Sequence, residues 1–433
     1  MADPVSAARP RVALVAIVDF PNGVGGDTRR VHMLARSLVA SGLDVTLVIP
    51  CPRGLVDDGH AAIAAETIDG IDVVRCAREG SYGHTPGLGA GGMLRLFGLR
   101  WKSLFRSLGV LGALRKQGLA AVHLYQPTFY DGAAYWLQAR LAGHRVAADY
   151  CDLSFVDHDR VEQNLGRRLW SLNYRWGMTW LPRRLDTVCV ISRYLLEQMA
   201  SRVSAERLVL VPPVVDTAAF DIPAPDAAWR RSFGLPPGRV VVYAGSFFDN
   251  EGVATLIEAA PRFLERHPDA SVVIVGGHPK EAWERLRRQA ADGAHADRIH
   301  FTGVRPSLDM PRLFAAADVL VAPKSDHVLN RAGVPTKLVE YLASGRPVVA
   351  GRVGDIPMVV NDGTEALLVQ PDDPAALAEA IDRLLGDAAA ATRLGQAGRD
   401  RVRRDNDVRP VGVKLRQVLG LAPKAAPERD TPR

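Results

Sequence analysis

Read for its apolar and polar positions, the chain opens with a continuous apolar run, Val12–Val18, that breaks at Asp19. A short run of this kind, bounded by turn residues, predicts a buried strand. A loop crowded with glycine follows, Pro21–Asp27. Thr28–Ser41 then carries Val31, Leu34, Ala35 and Leu38 on one helical stripe, and Gly42 stops it. Val45–Ile49 reads as the next strand, and Val122–Tyr125, Arg145–Ala148, Thr187–Ile191 and Leu208–Val211 continue the series. Polar residues or prolines lie just past these runs: Gln126-Pro127, Asp149 to Asp152, Ser192-Arg193 and Pro212-Pro213. Open α/β sheets bind ligands in that place, outside the carboxyl ends of their strands.

From Asp216 to Pro237 the chain is rich in Pro, Ala and Asp, and at Arg239 the pattern restarts. Val240–Ala244 runs into Gly245-Ser246, Ser271–Val275 into Gly276-Gly277 and Arg298–Phe301 into Thr302-Gly303. Asp318–Ala322 runs into Pro323-Lys324, and Pro347–Ala350 into Gly351. Five strands in succession that end in small residues or a cation outline a crevice along one parallel sheet. Val253–Arg266, Pro374–Leu385 and Ala388–Arg404 read as helices. The pattern predicts an α/β protein of two doubly wound domains, residues 1–215 and 238–407, joined by a linker at 216–237. Residues 421–433 form a polar tail expected to be disordered.

Composition narrows the class. The 433 residues suit two domains of roughly 200 each, and 47% hydrophobic with 24% charged residues is globular. No apolar run reaches the roughly 18 residues that span a bilayer. The first residues read as a ragged end before a strand, not as a signal peptide. Cys51, Cys76, Cys151 and Cys189 are scattered, without metal or disulfide spacing, which points to a reducing cytoplasm. Gly23, Gly25 and Gly26 lack the third glycine and the acidic strand end of a dinucleotide fingerprint, so no NAD cofactor is expected. Asp157-His158-Asp159 and Asp405-Asn406-Asp407 follow no convincing strand, and no metal is expected.

The formal charge of +6 is unevenly spread. Gly80–Tyr130 contains no Asp or Glu but holds Arg95, Arg100, Lys102, Arg106, Arg115 and Lys116. Within it, Leu94–Lys116 predicts a helix with Leu94, Phe97, Trp101, Leu104, Phe105, Leu108 and Leu111 on one stripe. Arg95, Lys102 and Arg106 fall to one side. Such a helix suits an anionic membrane interface; packing on its own domain with a solvated basic edge is the alternative. Arg167–Arg184 is a second basic, aromatic stretch. No nucleic-acid motif accompanies the charge, so nucleic acid is not expected as a partner.

The stretch Pro323–Gly351 carries the most chemistry. Between two apolar strands lie a polar loop, Gly333-Val334-Pro335, and a short helical pattern ending at Ser344-Gly345. Pro335 suits the first helical position and Gly345 the stop. The amides of Val334, Thr336 and Lys337 then lie at the positive end of a helix, which favours a phosphate. Lys337 and Glu340 share a face, so one can meet a diphosphate while the other accepts hydrogen bonds from a ribose. An ordinary cap with a surface ion pair is the plainer alternative.

Taken together, these pieces resemble the retaining, GT-B fold glycosyltransferases of the large family 4 group, over roughly Val12 to Leu419. The matching residues are the Pro21–Gly26 loop, Val190-Ile191-Ser192, Val211–Asp216, Tyr243–Ser246, Val275–Gly277, Phe301–Gly303, Ala317–Val319 and Gly333–Gly351. The resemblance implies two facing Rossmann-like domains, with the last helix, about 408–420, packing back on the first. It implies a nucleotide-diphosphate sugar held by the C-terminal domain and a glycan, lipid-linked or other acceptor on the N-terminal one. Transfer with retention and without metal or other cofactor is what it leads one to expect. Donor-binding residues would be Gly245, Ser246, Gly276, Gly277, Asn330, Gly333, Val334, Pro335, Thr336 and Glu340. Lys337, Lys324 and Asp152 would serve catalysis, and Gly23, Gly25 and Gly26 would close over the phosphates. The chain departs from the family pattern in four places. Ala332 stands at the first Glu of a pair whose second is Glu340. Ser246 and Glu251 stand where an Arg and a Lys are usual, and Cys151 stands at a His. A scaffold that binds nucleotide or a partner glycosyltransferase without catalysis is the alternative those departures allow.

Overall fold

A computed structural model describes residues 9–21, 25–50, 64–76, 90–152, 165–223 and 225–421. The side chains of residues 64, 90–100 and 165–170 fall outside that description, as do Gly23 and Asp157–Asp159. Two compact units emerge. One comprises Met1–Ile191, Leu195–Val211 and Val408–Arg433; the other Ser192–Tyr194 and Pro212–Asp407.

The first unit holds an eight-stranded sheet. Its strands are β1 (Arg11–Val15), β2 (Asp44–Ile49), β3 (Ala64–Ile68), β4 (Ile71–Arg75), β5 (Leu119–Tyr125), β6 (Arg145–Tyr150), β7 (Thr187–Val190) and β8 (Leu208–Leu210), in the order β3-β4-β2-β1-β5-β6-β7-β8. All neighbours run parallel except β3 and β4, a hairpin. That hairpin was not read from the periodicity. Its turn is Asp69-Gly70, with φ of 52° and 77°, the left-handed pair that a tight hairpin needs. β1 ends at Val15 and the glycine-started helix runs Gly26–Ala40. The helix Val408–Val418 packs on Gly26–Ala40, where a Cβ on Gly412 would lie 2.1 Å from the Ser37 carbonyl oxygen. Arg416 donates to the Ser41 carbonyl (2.8 Å) and Thr187 to that of Val418 (3.0 Å).

The second unit holds six parallel strands: β9 (Arg239–Ala244), β10 (Ala270–Val275), β11 (Ile299–Gly303), β12 (Val319–Ala322), β13 (Val348–Gly351) and β14 (Leu367–Val369), ordered β11-β10-β9-β12-β13-β14. β14, three residues long, escapes a periodicity reading. Central strands β9, β10, β12 and β13 are buried almost throughout because helices cover both faces. The stretch read as a linker is part of this unit. Asp226 caps a helix, Ala227–Phe233, and Phe220, Phe233 and Leu235 join the core. Asn406 and Asp407 are structural too: Asn406 donates to the Pro213 carbonyl, and Asp407 accepts from the Thr217 amide and hydroxyl (3.1 and 2.6 Å).

Among the described residues no helix is long and apolar enough to cross a membrane. The helix Ala90–Lys116 forms as expected, but its stripe divides. Leu104 and Leu111 are buried, whereas Phe105 is 64% and Trp101 39% exposed. Adjacent residues lie about 100° apart around a helix, so Leu104 and Phe105 cannot share one buried face.

Candidate active site

The site grows from the end of β9. Beyond Gly245-Ser246 a short turn, Asp249–Glu251, closes on Gly252 at φ 73°. A Cβ on Gly252 would sit 1.7 Å from the Pro323 carbonyl oxygen. Glycine alone therefore lets this turn lie against the end of β12. The contact brings Glu251 between two lysines. Lys324 Nζ lies 2.7 Å from Glu251 Oε1 and Lys337 Nζ 2.6 Å from Oε2. Their side chains are 8%, 16% and, for Glu251, 11% exposed. Lys337 also donates to the Tyr243 hydroxyl (3.0 Å) and stands 4.5 Å from that ring's centre. Tyr243 in turn donates to the Ser246 carbonyl (2.5 Å).

One carboxylate flanked by two ammoniums receives two attractions, while each ammonium receives one attraction and one repulsion. Burial pushes the Glu251 carboxyl up, but Lys337 and Lys324 outweigh it and hold it down at about 2. Burial pushes Lys324 down; Glu251 draws it back and Lys337 opposes, leaving it at about 8. At neutral pH the cluster carries one net positive charge.

Its open side meets a helix start. The helix runs Thr336–Ala343 with Pro335 as the cap, one residue earlier than the first helical position expected for that proline. No side chain caps it; the Leu338 amide turns back to the Pro335 carbonyl (3.1 Å), while the amides of Thr336 and Lys337 have no acceptor within their own helix. Gly345, at φ 73°, ends it. The Tyr341 hydroxyl accepts from the Ala244 amide (2.8 Å) and donates to the Ala244 carbonyl (3.1 Å), which pins the helix to the end of β9. A Cβ on Gly245 would lie 2.2 Å from Lys337 Nζ, so this glycine clears the space the ammonium occupies. Gly333, Pro335, Thr336 and Glu340 are half-buried here and Val334 is buried.

Several expected ligand contacts turn out to be internal. Lys324, expected to serve catalysis, is buried against Glu251. Asn330 is 6% exposed, and its amide is taken up by the protein: Nδ2 donates to the Asn250 and Ser325 carbonyls (2.7 and 2.9 Å), and Oδ1 accepts from Asn250 (3.1 Å). Gly276 is explained by packing, since a Cβ there would lie 1.9 Å from the Gly245 carbonyl oxygen. A Cβ on Gly277 would be 3.1 Å from Val304. Ser246 Oγ is 3.4 Å from Glu251. Ala332 is buried. Glu251 and Tyr243 are the residues sequence reasoning missed. Glu251 read only as a lost cation, because its partners lie 73 and 86 positions away.

The first unit holds the other expected residues. Gly25 caps the helix Gly26–Ala40, and added Cβ atoms at Gly25 and Gly26 meet nothing closer than 3.9 Å, so the fold itself does not require these glycines. Asp152 stands two residues past β6, next to Cys151, whose Sγ lies 3.0 Å from the Tyr125 hydroxyl. Past the ends of β1 and β5, Ala16, Pro50, Tyr125 and Asp131 help line a small hollow, with a cavity volume of about 10 Å³. Deeper, Arg30 grips both oxygens of Asp149 (2.6 and 2.9 Å), and both residues are buried. His123, Asp149 and Cys189 bring ligand-type atoms within 4.8 Å of one another. That set does not suit a cation, because Arg30 already supplies the positive charge. Burial takes His123 down to about 4, and neither ring nitrogen finds a hydrogen-bond partner among the described residues. In the basic patch Lys102 is exposed and Arg106 donates to the Cys76 carbonyl (3.3 Å), while the Arg95 side chain is outside the description.

With this geometry in place, comparison with known proteins decides the family. The model described as "Glycosyl transferases group 1" matches residues 238–387, and "Glycosyl transferase 4-like domain" matches 25–213. A D-inositol 3-phosphate glycosyltransferase of Corynebacterium efficiens is 31% identical over 305 residues, 66% of this chain and 68% of its own. The chain belongs to the group 1, family 4-like glycosyltransferases. Another member, the GDP-mannose-dependent alpha-(1-6)-phosphatidylinositol monomannoside mannosyltransferase of Mycolicibacterium smegmatis, is 35% identical over 239 residues. That match covers 54% of this chain and 62% of the relative, and the chain spans between half and two thirds of the curated relatives it matches first. Sucrose-phosphate synthase from Thermosynechococcus elongatus superposes with a TM-score of 0.67 at 21% identity, over 95% of this chain and 98% of its own. The family's GT-B fold, built from two α/β units with parallel sheets, is therefore the fold of this chain.

Proposed function

We propose that this family member transfers a sugar from a nucleotide-diphosphate donor to a glycan, lipid-linked or other acceptor, with retention and without a metal. One observation carries the reading: a positive cluster at the carboxyl edge of the second sheet stands beside an uncapped helix start, with Lys337 on its open side. Cleaving a sugar–diphosphate bond builds negative charge on the leaving phosphate, and preorganised cations and amides that meet it lower the barrier. Lys337 and the amides of Thr336 and Lys337 fill that role. Glu340, on the same helix, holds the ribose. No side chain is assigned as a nucleophile, so placement of the acceptor carries much of the rate. Asp152 and the Gly25-Gly26 helix start serve the acceptor side.

The acceptor's surroundings follow from the first unit. Trp101 and Phe105, with rings 6.0 Å apart, and the exposed Trp176 stand out from helices that also carry Lys102, Arg106 and Arg175. Apolar rings beside cations suit an anionic membrane surface, and the reading that follows is a cytoplasmic protein peripheral to the inner face of the cell membrane. The binding-only alternative rests on Glu251, which cancels one of the two cations. A panel of labelled nucleotide-sugars tests the proposal: sugar transfer to an added acceptor is expected. Nucleotide binding without turnover across the panel would support the scaffold instead.

A further inference from the structure

The second unit places a buried acid where an anionic ligand is expected. Three polar groups face Lys337: Tyr243 from β9, Glu251 from the turn after it, and Lys324 from the end of β12. Among the described residues only Glu251 gives the ammonium an ionic bond. The lysine stem is flexible, and the same carboxylate's other oxygen is anchored to Lys324, which is itself buried. The geometry is that of a strut: Lys324 fixes Glu251, Glu251 fixes Lys337, and the gap at Gly245 receives the ammonium.

We propose that Glu251 is a positioning residue that acts through Lys337, and that Lys324 is its buried counter-ion and not a second ligand of the diphosphate. The inference rests on the nucleotide-sugar reading and adds to it the means by which one lysine does the work of a lost Arg and Lys. It also runs against simple charge. Removing Glu251 takes away the cluster's one negative charge, so charge alone gives no reason for an anion to bind less well. A strut predicts a loss, because an unheld Lys337 leaves its place.

The test measures UDP and GDP affinity by calorimetry on the full chain at pH 7, with thermal melting to show that each variant is folded. Glu251→Gln is expected to weaken binding at least tenfold. Lys324→Met leaves Lys337 its carboxylate and is expected to weaken binding less than Glu251→Gln does. Should Glu251→Gln not fold, Glu251→Asp replaces it; its carboxylate is one methylene short of spanning both lysines, and a loss in the same direction is expected. Unchanged or tighter binding in the folded Glu251 variant overturns the proposal, as does a Lys324→Met loss equal to that of Lys337→Met. If the wild-type chain binds neither nucleotide, the nucleotide-sugar reading falls and the strut with it. If Lys337→Met loses binding and Glu251→Gln does not, only the strut falls.

Discussion

Each unit buries charge, and the two do so differently. In the first, Arg30 and Asp149 form a closed pair: two hydrogen bonds, side chains 2% and 0% exposed, and no charge left over. In the second, Lys324, Glu251 and Lys337 form an odd set past the carboxyl ends of β9 and β12, beside a helix start, with one positive charge unmatched. Desolvating ions is costly, and a matched pair only offsets that cost. The closed pair is therefore a fixture of the fold, joining the helix Gly26–Ala40 to β6. The odd set remains short of one anion. The contrast teaches that the remaining charge, more than burial itself, separates a structural ion cluster from one poised for a ligand.

Four substitutions or conditions sharpen that contrast. Arg30→Met should have the largest effect on stability, about 3–5 kcal/mol in urea unfolding, because it strands a buried carboxylate. Lys337→Met should cost less stability, because Lys324 still pairs with Glu251, and lower kcat by about 100- to 1000-fold, the usual loss of one transition-state donor. Comparable unfolding losses in the two variants would erase the distinction. Acid should find the odd set next. Glu251 is held below its unfolded value, so its stabilisation is present above about pH 4.5 and is lost as the pH falls towards about 2. That loss is on the order of 3 kcal/mol, and melting curves of Glu251→Gln should show a shallower acid limb. Smallest on activity, Gly245→Ala should shift the Lys337 ammonium: kcat falls roughly tenfold, about 1.4 kcal/mol, and the melting point falls too, because the added Cβ would also lie 2.9 Å from the Tyr243 hydroxyl.

Much of this was legible in the sequence. The strands ending in small residues, the helix opening after Gly333-Val334-Pro335 and the stop at Gly345 all follow from local chemistry that acts within a few residues. The Asp69-Gly70 turn is likewise a local signal of its hairpin. Glu251 was not legible, because its meaning depends on one backbone contact, Gly252 against Pro323, between segments distant in sequence. The same is true of Gly276, whose glycine answers to the Gly245 carbonyl, and of Asn330, whose amide closes its own loop. Local pattern announces elements; the packing between them decides which polar side chains remain available to a ligand.

The most direct test of the central claim is titration of the wild-type chain and Lys337→Met with UDP and with GDP at pH 7. Binding of one of the two by wild type, weakened at least tenfold in a Lys337→Met variant that still melts cooperatively, is the result predicted. Equal affinity in both proteins would contradict the assignment of Lys337 to the diphosphate.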